Sequence, residues 1–458
     1  MDDAQTVTGA AATGGTTDRA AAATGGADDE RAVLVFSADT HVGPRPEDLR
    51  PYCPASHLEQ FDAFGATAAD YNTFFELRGF SDEYWSGRAR NQQTEGHFDP
   101  HAQLADMDAD GVTGGIVFHD SLNGQPFPFD YMNSLGNGIP APEARELAGV
   151  GRALYNRWLV DFCSVERGRN MGLAQLPFWD IDASIAELEW CAEHGLGGVN
   201  YPSPGQVGLP PVFSPEMDRF FAACADLGMT LCTHIGALPP TEEYFAHGDP
   251  TNEGTFHFGL LDSGEWGVRT VYELVIYGAF ERHPALNLVL TEVPGVFWDE
   301  MCLKMDSLHK TPIRRKTQAL PRLPSEYAAT NVWMGNSFQS RQEAETAMAI
   351  GREDRFMWGS DYPHPEGTYS FPDDDEETPM TRLSLAFTYH DLPLDKVRRI
   401  LGLNALDAFP RLDREALTAV ADRVGIRPSE IADPPDLDQH AYVHERGTLG
   451  FRTEGPWN

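Results

Sequence analysis

Short apolar runs rich in β-branched and aromatic residues alternate with longer amphipathic segments along most of the chain. In residues 180–195, for example, Ile185, Leu188 and Cys191 recur at helical spacing, which predicts an amphipathic helix. Eight runs have the character of buried strands. They are residues 32–39, 114–120, 171–177, 197–202, 229–236, 286–292, 331–336 and 355–361.

Strand–helix units repeated in this way over roughly 380 residues predict an α/β fold, a (β/α)8 TIM barrel with long βα-loop insertions. The alternative is a doubly wound open sheet, in which a Gly-rich phosphate loop is expected after the first strand. The segment "SADTHVGP", residues 37–44, is not such a loop. The barrel is therefore the preferred interpretation.

The two ends of the chain depart from the barrel pattern. Residues 1–30 are small, polar and acidic, which predicts a disordered acidic tail and does not resemble a signal peptide. The barrel itself is predicted to occupy residues 31–410. Residues 411–458 are predicted to form a C-terminal extension that packs on it.

Charge and cysteine usage narrow the partners and the compartment. The chain has 34 basic and 70 acidic residues, a net charge of -36, which would repel nucleic acid and anionic membrane surfaces. No run reaches the length of about 18 apolar residues that a membrane span needs. The 6 cysteines are scattered without a CxxC pair, so we expect no disulfide framework and a cytoplasmic location.

Candidate ligands for a metal ion recur at the predicted strand ends, where barrel enzymes carry their chemistry. Asp39 and His41 are two residues apart and share one face of an extended strand. His234 continues the parity of Cys232, and Glu292 that of Leu288 and Leu290. The remaining strand ends contribute His119, Asp120, Asn200 and Asp361. Histidines and carboxylates gathered in this way predict a metal centre, although a single strand-end carboxylate is as often a solvated residue or a cap.

Three motifs carry a family resemblance: "SADTHVGP", "CTHIG" and "MWGSDYPHPEG". They resemble the metal-binding motifs of the amidohydrolase-related family, which includes aminocarboxymuconate semialdehyde decarboxylase and γ-resorcylate decarboxylase. The resemblance covers about residues 33–410. It implies a (β/α)8 barrel whose metal ligands are Asp39, His41, His234 and Asp361.

Two positions depart from the family pattern. Glu292 stands where the decarboxylases have a histidine that takes part in catalysis, and His119 adds a potential ligand from strand two. The candidate ligands are then Asp39, His41, His119, His234, Glu292 and Asp361, more than the three or four that one catalytic zinc requires. All four lysines lie after strand five, which excludes a carbamylated lysine bridge.

The chain is also similar to a branch of the family that consists of non-haem diiron monooxygenases, exemplified by the platensimycin and platencin diterpenoid hydroxylase. "SADTHVG", "TEVPGVFW", "GSDYPHPEG" and the terminal "FRTEGPWN" carry this similarity. Histidines with several carboxylates suit iron or manganese at least as well as zinc. The resemblance implies two iron ions, dioxygen as a co-substrate and a substrate linked to coenzyme A.

The primary prediction is therefore a monooxygenase of secondary metabolism that hydroxylates an apolar terpenoid or acyl group, with Asp361, Glu292 and His364 as catalytic residues. Aromatic-rich insertions at residues 71–85, 126–132 and 242–259 would hold this hydrophobic small molecule. Homo-oligomerisation remains open. The alternative is a mononuclear Zn or Mn enzyme, either an amidohydrolase-type hydrolase or a non-oxidative decarboxylase of a small carboxylic acid. A third interpretation is a non-catalytic barrel with a structural metal.

Overall fold

Eight parallel strands form one sheet in which each strand pairs with the next along the chain. A computed structural model describes this sheet and the helices around it. Its strands are β1 Phe36–Val42, β2 Gly114–His119, β3 Asn170–Ala174, β4 Gly198–Asn200, β5 Thr230–His234, β6 Leu288–Thr291, β7 Val332–Ser337 and β8 Phe356–Gly359. The described residues are 30–67, 81–130, 136–202, 204–235, 253–311, 320–372, 378–440, 442–443, 446 and 448–455.

The sheet closes between its first and last strands. Thr40 forms a parallel bridge with Tyr362, and the His41 amide donates to the Tyr362 carbonyl at 2.6 Å. With helices between the strands, the chain folds as a (β/α)8 TIM barrel. This confirms the fold predicted from the strand–helix pattern.

Helices separate and follow the strands, and several of the smaller ones lie between β1 and β2. They are α1 Pro46–Leu49, α2 Leu58–Thr67, α3 Asp82–Asn91, α4 Pro100–Asp110, α5 Arg145–Ser164, α6 Ile181–Glu193, α7 Pro215–Leu227, α8 Glu253–Ile276, α9 Ala279–Arg282, α10 Phe297–Lys310, α11 Pro324–Asn331, α12 Arg341–Ala349, α13 Met380–Tyr389, α14 Leu394–Arg398, α15 Asn404–Ala408 and α16 Arg414–Val424. None of the described helices is both long and apolar enough to cross a membrane.

Strand alternation divides the core into two layers, because successive side chains of a strand point to opposite faces. The interior of the barrel holds one cluster of inward-facing side chains: Phe36, Ile116, Phe118, Leu173, Cys232, Val289, Trp333 and Met357. The residues between them pack outward against the helices: Val117, Val199, Leu231, Leu288, Leu290 and Met334.

Residues after 410 contact the barrel at both of its ends. Leu417 and Ala421 of α16 join the interior cluster near the start of β1. At the other end, the Leu449 amide donates to the Glu366 carbonyl at 2.9 Å, next to the loop that follows β8. The predicted N-terminal tail lies outside the described residues except for Glu30, as do parts of the three predicted aromatic insertions.

Candidate metal centre

A register shift in β1 brings Asp39 and His41 to the mouth of the barrel. Phe36 and Ala38 face the interior, whereas Val42 belongs to the outer layer. Between Ser37 and Thr40, β1 contains one residue more than the segment of β2 with which it pairs. Such a bulge changes which positions of a strand face inward. Both Asp39 and His41 are completely buried.

The His41 ring is oriented by a hydrogen bond from its Nδ1 atom to the backbone. Nδ1 lies 2.7 Å from the carbonyl oxygen of His119, and a carbonyl can only accept, so Nδ1 carries the proton. The lone pair of the neutral ring is then on Nε2, which lies 3.1 Å from Asp39 Oδ1 and 3.3 Å from Asp361 Oδ1. This is how a histidine is oriented for metal binding.

His234 at the end of β5 has the same arrangement. Its Nδ1 donates to the carbonyl of Ile235 at 2.7 Å. Its Nε2 lies 3.3 Å from Asp39 Oδ1 and 3.3 Å from Nε2 of His41. Two imidazole nitrogens and two carboxylate oxygens thus point at one small volume.

The carboxylates leave several oxygens for a ligand. Ser337 Oγ donates to Asp39 Oδ2 at 2.7 Å and fixes that side chain. Among the described residues, no donor makes a hydrogen bond of normal geometry to Asp39 Oδ1 or to either oxygen of Asp361, although Asp361 is completely buried. Buried carboxylate oxygens without donors are unfavourable unless a cation or a proton compensates them.

The donor set fits a metal ion. The ligand atoms of Asp39, His41 and His234 lie within 4.8 Å of one another, as do those of His41, Asp361 and His364. Two histidines and two carboxylates suit Mn or Zn and form an open set at the strand ends. Because Asp39 Oδ1, Asp361 Oδ1 and His234 Nε2 all lie within 3.3 Å of His41 Nε2, the residues that would hold one ion are Asp39, His41, His234 and Asp361.

The carboxylates and histidines of this set shift one another's pKa values. Burial alone would raise the pKa of Asp39, but His234 and His41 outweigh it and hold that pKa below its ordinary value. Burial likewise opposes protonation of His41, yet Asp39 and Asp361 raise its pKa well above the ordinary value. A cation bound at this position would compensate the same negative charges.

His364 supports Asp361 and lies beside the ligands. Its Nε2 lies 2.6 Å from the carbonyl oxygen of Asp120, and its Nδ1 is 3.1 Å from Asp361 Oδ1. The ring stacks on His41 with centroids 4.1 Å apart. Burial disfavours the charged ring, but the Asp361 carboxylate outweighs it and raises the pKa of His364. The predicted catalytic residue His364 is thus placed to orient Asp361.

The backbone conformation after β6, and not strand alternation, brings Glu292 to the mouth of the barrel. Leu288 and Leu290 face the outer layer, so a continued strand would turn Glu292 away from the mouth. β6 ends at Thr291, however, and Glu292 adopts a left-handed φ of 60°. Its Oε2 lies 3.6 Å from His234 Nδ1. Burial, and then the charges of Asp361 and Asp39, raise the pKa of Glu292 well above its ordinary value.

The imidazole of His119 is not brought into the cluster. It shares its face of β2 with Val117, in the outer layer, and packs edge-on against Phe127 and Tyr155 at 5.2 and 5.4 Å. The main chain of His119 serves the site instead, because its carbonyl orients His41. Strand alternation places the neighbouring Phe118 inside the barrel, and His119 is in neither group of candidate ligands among the described residues.

Two residues at the site were missed by sequence reasoning. Phe118 packs edge-on against His234 at 4.9 Å and forms an apolar wall of the centre. Ser337, the last residue of β7, fixes Asp39. Phe118 continues the inward parity of Ile116, so the alternation of β2 was the signal that could have found it.

Residues 38–411 match the family model described as amidohydrolase. The chain belongs to the amidohydrolase family. This confirms the resemblance in the three motifs, and it makes the metal centre a feature of a metal-dependent enzyme. No curated protein matches the sequence.

Solved structures of family members share the fold at low sequence identity. An amidohydrolase from Mycobacterium avium subsp. paratuberculosis has 16% identity and a TM-score of 0.58, covering 82% of this chain and 97% of its own. A dihydroxybenzoic acid decarboxylase from Polaromonas, with manganese and the inhibitor 2-nitroresorcinol, has 18% identity and a TM-score of 0.54, covering 84% and 99%. A manganese complex of 5-carboxyvanillate decarboxylase from Novosphingobium aromaticivorans has 19% identity and a TM-score of 0.55, covering 82% and 96%.

These findings correct the monooxygenase prediction. The similar structures are amidohydrolases and decarboxylases, two of them with manganese, and none of these is an iron oxygenase. The prediction of a second metal rests on six ligands, but among the described residues three candidate ligand atoms cluster around His41 Nε2 and the His119 ring packs against Phe127 instead. The diiron centre, the dioxygen co-substrate and the hydroxylation chemistry are therefore not supported for this amidohydrolase.

Proposed function

We propose that this protein is a mononuclear Mn- or Zn-dependent decarboxylase that removes CO2 from a small carboxylic acid without an oxidant. The observation that carries the proposal is that Asp39 Oδ1, Asp361 Oδ1 and His234 Nε2 all lie within 3.3 Å of His41 Nε2. The manganese-containing decarboxylases of the same fold support this class of reaction. Hydroxybenzoic acids are the first substrates to test.

A metal ion bound by these residues would bind the oxygens of the substrate and compensate their negative charge. The chain itself provides the orientation of that centre. His119 and Ile235 carbonyls fix the Nδ1 protons of His41 and His234, and Ser337 fixes Asp39. Phe118 packs edge-on against the His234 ring and lines the site with an apolar surface.

Glu292 is the proton donor in this proposal. In non-oxidative decarboxylation the bond between the carboxyl carbon and its neighbour breaks, the electron pair stays on the neighbouring carbon, and that carbon takes a proton. Glu292 Oε2 lies beside His234 at the mouth, where it can hold that proton and later regain it from water. A carboxyl group thereby takes the role that the strand-six histidine has in the decarboxylases that the motifs resemble.

The test is CO2 release from a panel of hydroxybenzoic acids by the manganese-loaded protein under argon. The account predicts turnover without dioxygen, with one deuterium at the former carboxyl position when the reaction runs in D2O. Turnover that requires dioxygen, or no CO2 from any acid in the panel, would contradict it. Glu292→Gln is the matched control, since it keeps the shape of the side chain and cannot donate the acid proton.

Hydrolysis of an ester, amide or lactone is a second candidate. It is favoured by Asp361, which is completely buried beside His41 and His364 and could act as a general base toward water. Hydrolysis of ester or lactone substrates in the same assay, without CO2 release, would make this the function.

A further inference from the structure

Two buried amides, Gln175 and Asn200, lie on the side of the barrel mouth opposite the β8 loop. Gln175 directly follows β3 and continues the parity of Leu173, which faces the interior. Asn200 ends β4, and its Nδ2 donates to Gln175 Oε1 at 3.0 Å. Each residue is 1% exposed. Because β3 and β4 stand between β2 and β5, the pair lies between the Phe118 and His234 strands.

The backbone of Gln175 is held rigidly from α5. Its amide donates to Asn156 Oδ1 at 2.8 Å, and its carbonyl accepts from Asn156 Nδ2 at 2.9 Å. Asn156 is completely buried and also donates to Glu187 at 2.8 Å. The position of the Gln175 side chain is thus fixed from both its backbone and its amide oxygen.

The other end of this amide lacks a partner. The Nε2 atom of Gln175 carries two N–H donors. It makes no hydrogen bond within the part of the chain that the structure describes. Buried donors are nearly always paired, and exceptions concentrate where a ligand completes them. A preorganised donor at the end of a barrel strand, where barrel enzymes carry their chemistry, can bind an oxygen atom of a substrate.

We propose that Gln175 Nε2 donates a hydrogen bond to a second oxygen of the substrate, one that is neither lost as CO2 nor held by the metal ligands. The residue then selects acids that carry a phenolic or carboxylate oxygen at that position. It touches the substrate away from the reacting carbon, so it contributes to binding specificity. This inference rests on the proposed function for the identity of the substrate as a carboxylic acid.

Gln175→Met is the decisive variant, because methionine has a similar length and volume without the amide donors. Binding of 2,6-dihydroxybenzoate and of 2-hydroxybenzoate, which differ by one hydroxyl, is measured by calorimetry on manganese-loaded protein. The wild type is expected to bind the dihydroxy acid about three- to tenfold more tightly. Gln175→Met is expected to bind both acids equally, with the affinity for 2-hydroxybenzoate unchanged.

Three results would overturn the inference: a preference that survives in Gln175→Met, an equal loss of affinity for both acids, or a wild type that shows no preference. If Gln175→Met does not fold, Gln175→Asn retains an amide but withdraws it by one methylene, and the same loss of preference is expected. The readout is affinity, so absence of CO2 release would refute the proposed reaction without deciding the role of Gln175.

Discussion

The backbone amide of Asp361 donates a hydrogen bond to the carbonyl oxygen of Asp39 at 3.1 Å. Asp361 follows β8 and Asp39 lies in β1, so this bond is one of those that join the last strand to the first, and it links two of the candidate metal ligands. Asp361 adopts a left-handed φ of 54°, which turns its carboxylate toward His41. Closure of the barrel and convergence of these two ligands therefore share this hydrogen bond.

Glu292 provides a prediction that separates proton donation from metal binding. Glu292→Gln should lower turnover by about 10²–10⁴ fold, the usual contribution of a positioned general acid. Glu292→His should retain more activity than Glu292→Gln, since an imidazole can carry a proton at this position. Steady-state CO2 release measures both variants.

The control for the Glu292 variants is their metal content, which should equal that of the wild type because the four ligands are untouched. Loss of the metal in Glu292→Gln would show that Glu292 is a ligand. Equal activities of the Gln and His variants would remove it as the proton donor.

The variants His234→Phe and His119→Phe form a matched pair that tests which histidine binds the metal. His234→Phe removes a ring nitrogen that faces Asp39, and metal affinity should fall by more than about 100-fold. His119→Phe places a ring of similar shape against Phe127 and Tyr155, and it should keep both the metal and the fold. Metal titration with circular dichroism checks the pair, and metal loss in His119→Phe would restore His119 as a ligand.

Sequence reasoning predicted the barrel because alternation and strand–helix repetition are local signals. The same signals placed His41 and His234 correctly at strand ends. They did not indicate that the His119 ring lies on the outer face of β2, because a strand-end position does not say which face a side chain occupies. Glu292 and Asp361 depend on left-handed backbone conformations after their strands, which alternation does not encode.

The monooxygenase prediction was wrong for a related reason. Six ligand-type residues near strand ends were counted as six ligands, and that number favoured two iron ions. The structure shows that the number of ligands depends on orientation, which the motifs alone do not determine. Ser337 and Gln175 were missed because a serine or glutamine at a strand end carries no distinctive signal.

Asp110 gives a prediction for the pH dependence of stability. Burial is the main cause that raises the pKa of Asp110 from 3.8 to about 7, while Thr381 donates to its Oδ2 at 2.7 Å. The folded state then binds this proton more tightly than the unfolded state. The stabilisation of the folded state by this bound proton is complete below pH 4 and is lost as the pH rises toward 7.

Asp110→Asn should therefore be more stable than the wild type near pH 8, by an amount of the order of 4 kcal/mol, and should converge with it near pH 4. Urea unfolding at both pH values measures the difference. A stability difference that does not change with pH would contradict the raised pKa of Asp110.

The central claim is a single metal centre built by Asp39, His41, His234 and Asp361. Elemental analysis of protein purified without added metal tests it most directly, with His234→Phe measured alongside. The account predicts about one Mn or Zn ion per chain in the wild type and less than about a tenth of that in the variant. About two iron ions per chain in the wild type would contradict it.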